Sequence, residues 1–215
     1  MTTIGLIGAG HIGTQLARLA VANGYDVVIS NSRGPETLVD MVKKLGARAK
    51  AGVPAEAARA ADIVIVSVPF KAYRSIPVEP CAGKLVIDTN NYYPQRDGHF
   101  PELDNETTTS SQLLQAHLPT SLVVKAFNHL YAAELTSHAQ ARGTSNRRAL
   151  VIAGDDWDAK AIVTRLLDRF GFDAVDAGNL RESWRIQPGT PGYGPRRTAP
   201  QLREDLAAAR RAAYD

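Results

Sequence analysis

Three glycines near the start of the chain, Gly8, Gly10 and Gly13, stand in G-x-G-x-x-G spacing around Ala9, His11 and Ile12. An apolar run from Thr3 to Ile7 leads into them, and Ile12, Leu16 and Leu19 follow at helical spacing. A strand turning into a helix at such a triplet has a chemical use. The first glycine allows the turn, the second lets a phosphate group approach the backbone, and the third lets helix pack on strand. The N–H groups at the helix start, aligned with its dipole, favour the pyrophosphate of a dinucleotide. Gly8, Gly10, His11, Ile12 and Gly13 are therefore the candidate pyrophosphate residues. The alternative is an ordinary glycine-rich turn in some other α/β protein.

The choice between NAD and NADP falls at the end of the second strand, about 20 residues past the glycines. A carboxylate there would bond the ribose hydroxyls and repel a 2′-phosphate. This chain instead reads Asn31-Ser32-Arg33, with no carboxylate before Glu36. Ser32 can donate a hydroxyl and Arg33 a planar charged fork suited to phosphate oxygens. The expected cofactor is NADP(H). The competing view is a solvated loop arginine that touches nothing.

Ligands of open α/β sheets bind outside the carboxyl ends of the strands. Ser67-Val68-Pro69-Phe70, Asp88-Thr89-Asn90-Asn91 and Lys125-Ala126-Phe127-Asn128-His129 are three such ends. Val68, Pro69, Ala126 and Asn128 are expected beside the nicotinamide. Asn128 suits its carboxamide or a substrate carbonyl, and equally the cap of a following helix that runs through Leu135. Asn90 and Asn91 suit turn amides. His129 and the pair Tyr92-Tyr93 are the proton-donor candidates, although sequence cannot supply the geometry that role requires. No Ser-His-Asp order, paired carboxylates or metal-ligand spacing stands out, so no catalytic residue is assigned and no metal is expected.

The elements that must hold these ends alternate strand and helix. Strands are expected at 3–7, 26–30, 47–50, 62–68, 85–88, 121–126 and 148–153. The β-branched, non-alternating run 62–68 suits a central strand buried on both faces. A helix starting at Pro35, with Leu38, Val39, Val42 and Leu45 inward, stops at Gly46. A brief Ala-rich helix follows Pro54, and an amphipathic helix over 157–170 uses Ile162, Leu166 and Phe170 before Gly171. The fold class that follows is α/β: a Rossmann-type, doubly wound, mostly parallel sheet with a short C-terminal helical arm. Residues 1–180 form the expected NADP-binding domain and 181–215 the arm. Two stretches break the rhythm. Residues 91–107 are polar and longer than an ordinary connector. Residues 187–195 are rich in Pro and Gly, then lead to Thr198-Ala199-Pro200-Gln201, a capping box opening a final helix through Ala209. The arm is expected either to cover a ligand or merely to tether.

Bulk properties exclude several classes. The 25 basic and 22 acidic side chains leave +3 among 215 residues, too little for a nucleic-acid binder. Cys81, the one cysteine, permits no internal disulfide and reads as a buried apolar filler. The chain enters a strand at once, without a secretory pattern, and its most apolar run, 63–70, is too short for a bilayer. A cytoplasmic protein with no membrane contact is expected.

Taken together, G-L-I-G-A-G-H-I-G at 5–13, Ser32-Arg33, Ser67-Val68-Pro69 and V-V-K-A-F-N at 123–128 resemble one family. It is that of the coenzyme F420-dependent NADP oxidoreductases, also called NADPH-dependent F420 reductases. The resemblance covers roughly residues 3–180, including Gly154-Asp155-Asp156 and Asp176-Ala177-Gly178-Asn179-Leu180. It implies NADP on the glycine turn and coenzyme F420 stacked on the nicotinamide, with hydride passing directly between the two rings. The protein then positions the rings and excludes water. The Asn128-His129 turn, the Tyr92-Tyr93 loop and the arm with Glu182-Ser183-Trp184-Arg185 depart from that pattern. The hydride acceptor, a flat small molecule bound between the nicotinamide and that loop or arm, therefore stays open. The alternatives are an imine or carbonyl reductase with a proton donor such as His129, and a noncatalytic NADP-binding sensor. A homodimer is compatible with any of these.

Overall fold

The computed structural model describes residues 1–211; the last four residues of the expected arm, 212–215, lie outside the described residues. The first half alternates as expected: β1 (Thr3–Ile7), α1 (His11–Ala22), β2 (Asp26–Ser30), α2 (Val39–Leu45), β3 (Ala49–Gly52), α3 (Pro54–Ala60) and β4 (Ile63–Val66). A short α4 (Val78–Cys81) precedes β5 (Leu85–Asp88), and two one-turn helices, α5 (Pro94–Asp97) and α6 (Pro101–Asp104), follow it. Then come α7 (Ser110–His117), β6 (Leu122–Lys125), α8 (Glu134–Ser137), β7 (Ala149–Gly154), α9 (Trp157–Arg169), β8 (Asp173–Asp176) and α10 (Ala199–Ala208). Three 3₁₀ segments, Pro35–Leu38, Phe70–Ser75 and Leu180–Ile186, join them.

All eight strands form one sheet in the order β3-β2-β1-β4-β5-β6-β7-β8. Pairing is parallel from β3 through β6, antiparallel between β6 and β7, and parallel again between β7 and β8. The chain winds outward from β1 in one direction and from β4 in the other. Their carboxyl ends splay the following loops apart and leave a crevice at that switch point. The β4 sequence Ile-Val-Ile-Val is buried at every position, because helices cover both faces. On one face Leu16, Ala20, Ile29, Val163 and Phe170 pack together. On the other, Phe70, Tyr73, Leu114 and Leu118 cover Val64, Val66 and Val86. The arm is part of the packing: Ile186, Leu202 and Leu206 cover Val151 and Val175.

Several expectations shift. Strand β3 lies two residues later than 47–50. Val39 is exposed, and α2 turns Met41, Val42 and Leu45 inward instead, with Leu38 just before it. Ile162 is half-exposed, so the buried face of α9 runs through Ala159, Val163, Leu166 and Leu167. The stretch 91–107, expected only as an overlong connector, holds two helical turns, opened by Pro94 and Pro101. No helix follows Asn128 directly; the next begins at Glu134. Strand β8 and helix α7 were not anticipated, although Thr109 and Gln112 carry a capping box in which each side chain bonds the other's amide at 3.1 Å. Cys81 is buried, and burial pushes its thiol up to about 11.

Candidate functional site

The crevice begins at the glycine turn. Gly8 has φ of 114°, and a Cβ there would lie 2.0 Å from the Ser67 carbonyl oxygen. A Cβ on Gly13 would lie 2.0 Å from the Gly8 carbonyl oxygen, so helix and turn touch only because both lack side chains. Gly10 differs. Among the described residues nothing comes within 4 Å of the space a Cβ would fill, which leaves the backbone open to the crevice. Helix α1 starts there without a side-chain cap; its first bond runs from the Thr14 amide to Gly10 O at 2.9 Å. The amides of His11, Ile12 and Gly13 precede that bond and are the helix's unspent donors. Together with the open side of Gly10, they suit a pyrophosphate.

Beyond β2, Asn31 shapes the next loop. Its Oδ1 accepts from the Arg33 amide and its Nδ2 donates to Thr37 Oγ1, both at 2.9 Å. Ser32 and Arg33 are exposed, and with Asn31 they wall a cavity of 280 Å³ that also touches Gly8, Gly10, Val68 and Pro69. Asn31 is thus a shaper of the loop, while Ser32 and Arg33 stand exposed at its edge.

At Gly10, Ser67, Val68 and Pro69 this cavity meets a larger one of 730 Å³. His11 and Ile12 border the larger one, as do Asn90, Asn91, Tyr93, Asn128 and Tyr193. Asn90 Oδ1 accepts from the Val68 amide at 2.9 Å and fixes the turn after β4. Among the described residues, Asn90 Nδ2 is buried with no hydrogen-bond partner, and so is Asn128 Oδ1. Asn128 spends its Nδ2 on Asn91 Oδ1 at 3.1 Å and on Ile186 O at 2.9 Å. The two side chains that carry an orphan donor and an orphan acceptor therefore line the same cavity. A carboxamide carries the complementary pair.

Two candidates do not stand where the sequence suggested. Ala126 is wholly buried in the core, and Phe127 after it takes φ of 58°. The residues of that turn that reach the cavity are Phe127 and Asn128. His129 is buried as well. Its Nε2 accepts from the Val151 amide at 2.9 Å, so the ring proton sits on Nδ1, 3.3 Å from Gly192 O. Burial, reinforced by the Arg148 charge, takes its pKa down to about 3. A neutral ring with both nitrogens committed donates no proton to a ligand. It grips the arm, an effect strengthened by the bond from the Gly194 amide to His129 O at 3.1 Å.

That grip carries Tyr193 to the crevice, where its hydroxyl bonds the Tyr93 hydroxyl and accepts from Asn91 Nδ2 at 3.1 Å. Tyr92 turns elsewhere: its hydroxyl donates to Asp104 and receives the Phe100 amide. Behind this junction a third cavity of 490 Å³ is bordered by Tyr92, Tyr93, Lys125, Asn128 and Trp184. Lys125 is buried against Asp88 at 3.1 Å, and Asp88 also receives the Ser111 hydroxyl at 2.7 Å. Sequence reasoning missed Tyr193, whose only signal was its place in the Pro-Gly arm. Among the described residues no cluster of His, Cys, Asp or Glu could hold a metal ion, and no helix is long and apolar enough to cross a membrane.

The profile of the family described as "NADP oxidoreductase coenzyme F420-dependent" matches residues 3–92. A solved structure of a hypothetical protein from Sinorhizobium meliloti is 34% identical, with a TM-score of 0.76 over 89% of this chain and 93% of that one. A candidate F420-dependent NADP reductase from Arthrobacter sp. FB24 is 24% identical; at a TM-score of 0.71 the match covers 83% of this chain and 85% of that one, a likeness of fold. Metalloreductase STEAP3 of Rattus norvegicus is 27% identical over 186 residues, 86% of this chain and 35% of the rat protein. The chain spans about a third of the length of the curated relatives it matches.

Proposed function

Because the chain belongs to the family of coenzyme F420-dependent NADP oxidoreductases, we propose that it transfers hydride between NADP(H) and a flat acceptor, coenzyme F420 being the first candidate. The observation that carries this reading is the continuity of the crevice. Arg33 and Ser32 stand at one end, the open backbone of Gly10 and the start of α1 in the middle, and Asn90 with Asn128 at the other.

NADPH, when bound, supplies the hydride. The chain's own residues would do the rest. His11, Ile12 and Gly13 would offer amides to the pyrophosphate, where the helix dipole adds to their attraction. Arg33 would pair with the 2′-phosphate and Ser32 donate to it. Asn90 Nδ2 and Asn128 Oδ1 would hold the carboxamide and so fix which face of the ring meets the acceptor. Each would regain a hydrogen bond that burial now denies it. Val68 and Pro69 would pack on the ring and keep water from it. No nucleophile is needed, since catalysis here is mainly positioning.

The test is NADPH oxidation followed with coenzyme F420, free flavins, quinones, small carbonyls and a cyclic imine as acceptors. Turnover with at least one is expected. Tight NADPH binding with no oxidation by any of them would replace this reading with that of a noncatalytic sensor.

A further inference from the structure

A carbon that accepts a hydride pushes its π electrons onto the nitrogen or oxygen conjugated to it, and that atom then needs a proton. With His129 spent on the arm and Tyr92 on Asp104, the donor must be sought elsewhere on the cavity wall. Tyr93 and Tyr193 both border the 730 Å³ cavity, although they come from segments 100 residues apart.

The hydrogen-bond accounting of this pair leaves a proton over. Asn91 Nδ2 can only donate, so it occupies a lone pair of the Tyr193 oxygen. The two hydroxyls own two protons and use one between them. Either direction of that bond leaves one phenolic proton unspent. Asn91 is itself fixed, because its Nδ2 also donates to Asn128 O at 2.6 Å and its Oδ1 accepts from Asn128. The Arg96 guanidinium lies 4.9 Å from the centre of the Tyr93 ring. Among the described residues the Tyr93 oxygen is bonded to the Tyr193 hydroxyl alone, whereas the Tyr193 oxygen also carries the Asn91 bond, so Tyr93 is the phenol with room for a ligand.

Resting on the hydride-transfer reading above, we propose that Tyr93 is the proton donor to the acceptor and that Tyr193, held by the arm, is the positioning residue that aligns and polarises it. The substrate class follows. It is a flat acceptor whose hydride-receiving carbon is conjugated to nitrogen or oxygen, as in an imine, a carbonyl or a nitrogen heteroaromatic ring. The step balances: hydride from NADPH forms the new C–H bond, and the C=N or C=O π pair moves to the heteroatom. The Tyr93 O–H bond breaks as the N–H or O–H bond forms. The phenolate then takes a proton from water at the cavity mouth, with Tyr193 O–H donating to it meanwhile. Burial and the Tyr93 bond keep the Tyr193 phenol well above its ordinary value, which preserves that donor.

The experiment compares the full chain with Tyr93→Phe and Tyr193→Phe, using coenzyme F420 and the cyclic imine 1-pyrroline as probes. Tyr93→Phe is expected to lower kcat about 10²- to 10⁴-fold, the usual worth of a general acid, and to abolish the solvent deuterium isotope effect. NADPH affinity, read by fluorescence, and the melting temperature stay unchanged. Tyr193→Phe lowers kcat less and retains the isotope effect, as befits positioning. In the unliganded protein, a downfield hydroxyl proton resonance from the pair disappears in either variant. Turnover by the unaltered chain that survives Tyr93→Phe within twofold overturns the proposal and leaves hydride transfer standing. No turnover by the unaltered chain with any acceptor overturns both.

Discussion

His129 shows how one residue's meaning depends on its burial. In the sequence it is a histidine at a strand end, a proton-donor candidate. In the fold its ring fastens Gly192 to Val151 and its carbonyl fastens Gly194, so that it brackets Tyr193 from both sides. This arrangement makes stability pH-dependent. The folded pKa, about 3, lies below the ordinary 6.5, so between those values the unfolded chain binds a proton that the folded chain refuses. The contribution is complete above pH 6.5 and erodes as pH falls toward 3, at about 1.4 kcal/mol per pH unit. Asp97 and Glu134 are both held below their ordinary 3.8 and 4.5. For Asp97, burial is outweighed by bonds from Arg96 and the Tyr93 and Lys71 amides; for Glu134, by the Tyr131 amide and Arg148. Their contributions are therefore lost only at lower pH. Urea titrations between pH 6.5 and 5 isolate the histidine. The native chain should weaken across that window, while His129→Gln, less stable at neutral pH, should show a flatter profile. Equal slopes would contradict the assignment.

At the scale of elements, strands and their ends were the legible part, because their information is local. Apolar runs marked β1, β4 and β5, and the glycine triplet marked the turn into α1. What escaped depends on partners remote in sequence. Strand β8, Asp-Ala-Val-Asp, carries little apolar signal and forms because β7 offers it a parallel edge. Ala126, just past the end of β6, lies in the core, and the positive φ at Phe127 after it is announced by no pattern. The Asp88–Lys125 pair was likewise invisible until β5 and β6 came into register with these two residues side by side. With side chains only 1% and 3% exposed, this pair ties the ends of two adjacent strands beneath the crevice. Lys125→Met would strand a buried carboxylate and should cost about 3–5 kcal/mol in denaturant unfolding. Adding Asp88→Asn should recover part of it. A loss under about 1 kcal/mol in the single variant would place the pair among ordinary surface bridges.

Across the whole molecule, the cofactor half falls, in the proposed reading, to the doubly wound sheet and the acceptor half to later segments. The first was readable, since glycine spacing and a basic loop after β2 constrain the ligand through backbone shape and charge. The second is assembled by contacts between residues far apart in sequence, Tyr93 with Tyr193 and Asn128 with Ile186. The arm lies over the sheet through Ile186, Leu202 and Leu206 and delivers Tyr193 to the mouth of the cleft. Everything proposed for the acceptor side presumes that the crevice holds NADP(H), so the decisive measurement concerns the cofactor. Affinities for NADPH and NADH, measured by calorimetry for the native chain and for Arg33→Ala, bear on it directly. Charged hydrogen bonds of about 1.5–3 kcal/mol imply a native preference for NADPH of about ten- to a hundredfold. In Arg33→Ala that preference should collapse while NADH affinity holds. An NADPH-to-NADH ratio that Arg33→Ala leaves unchanged would contradict the account.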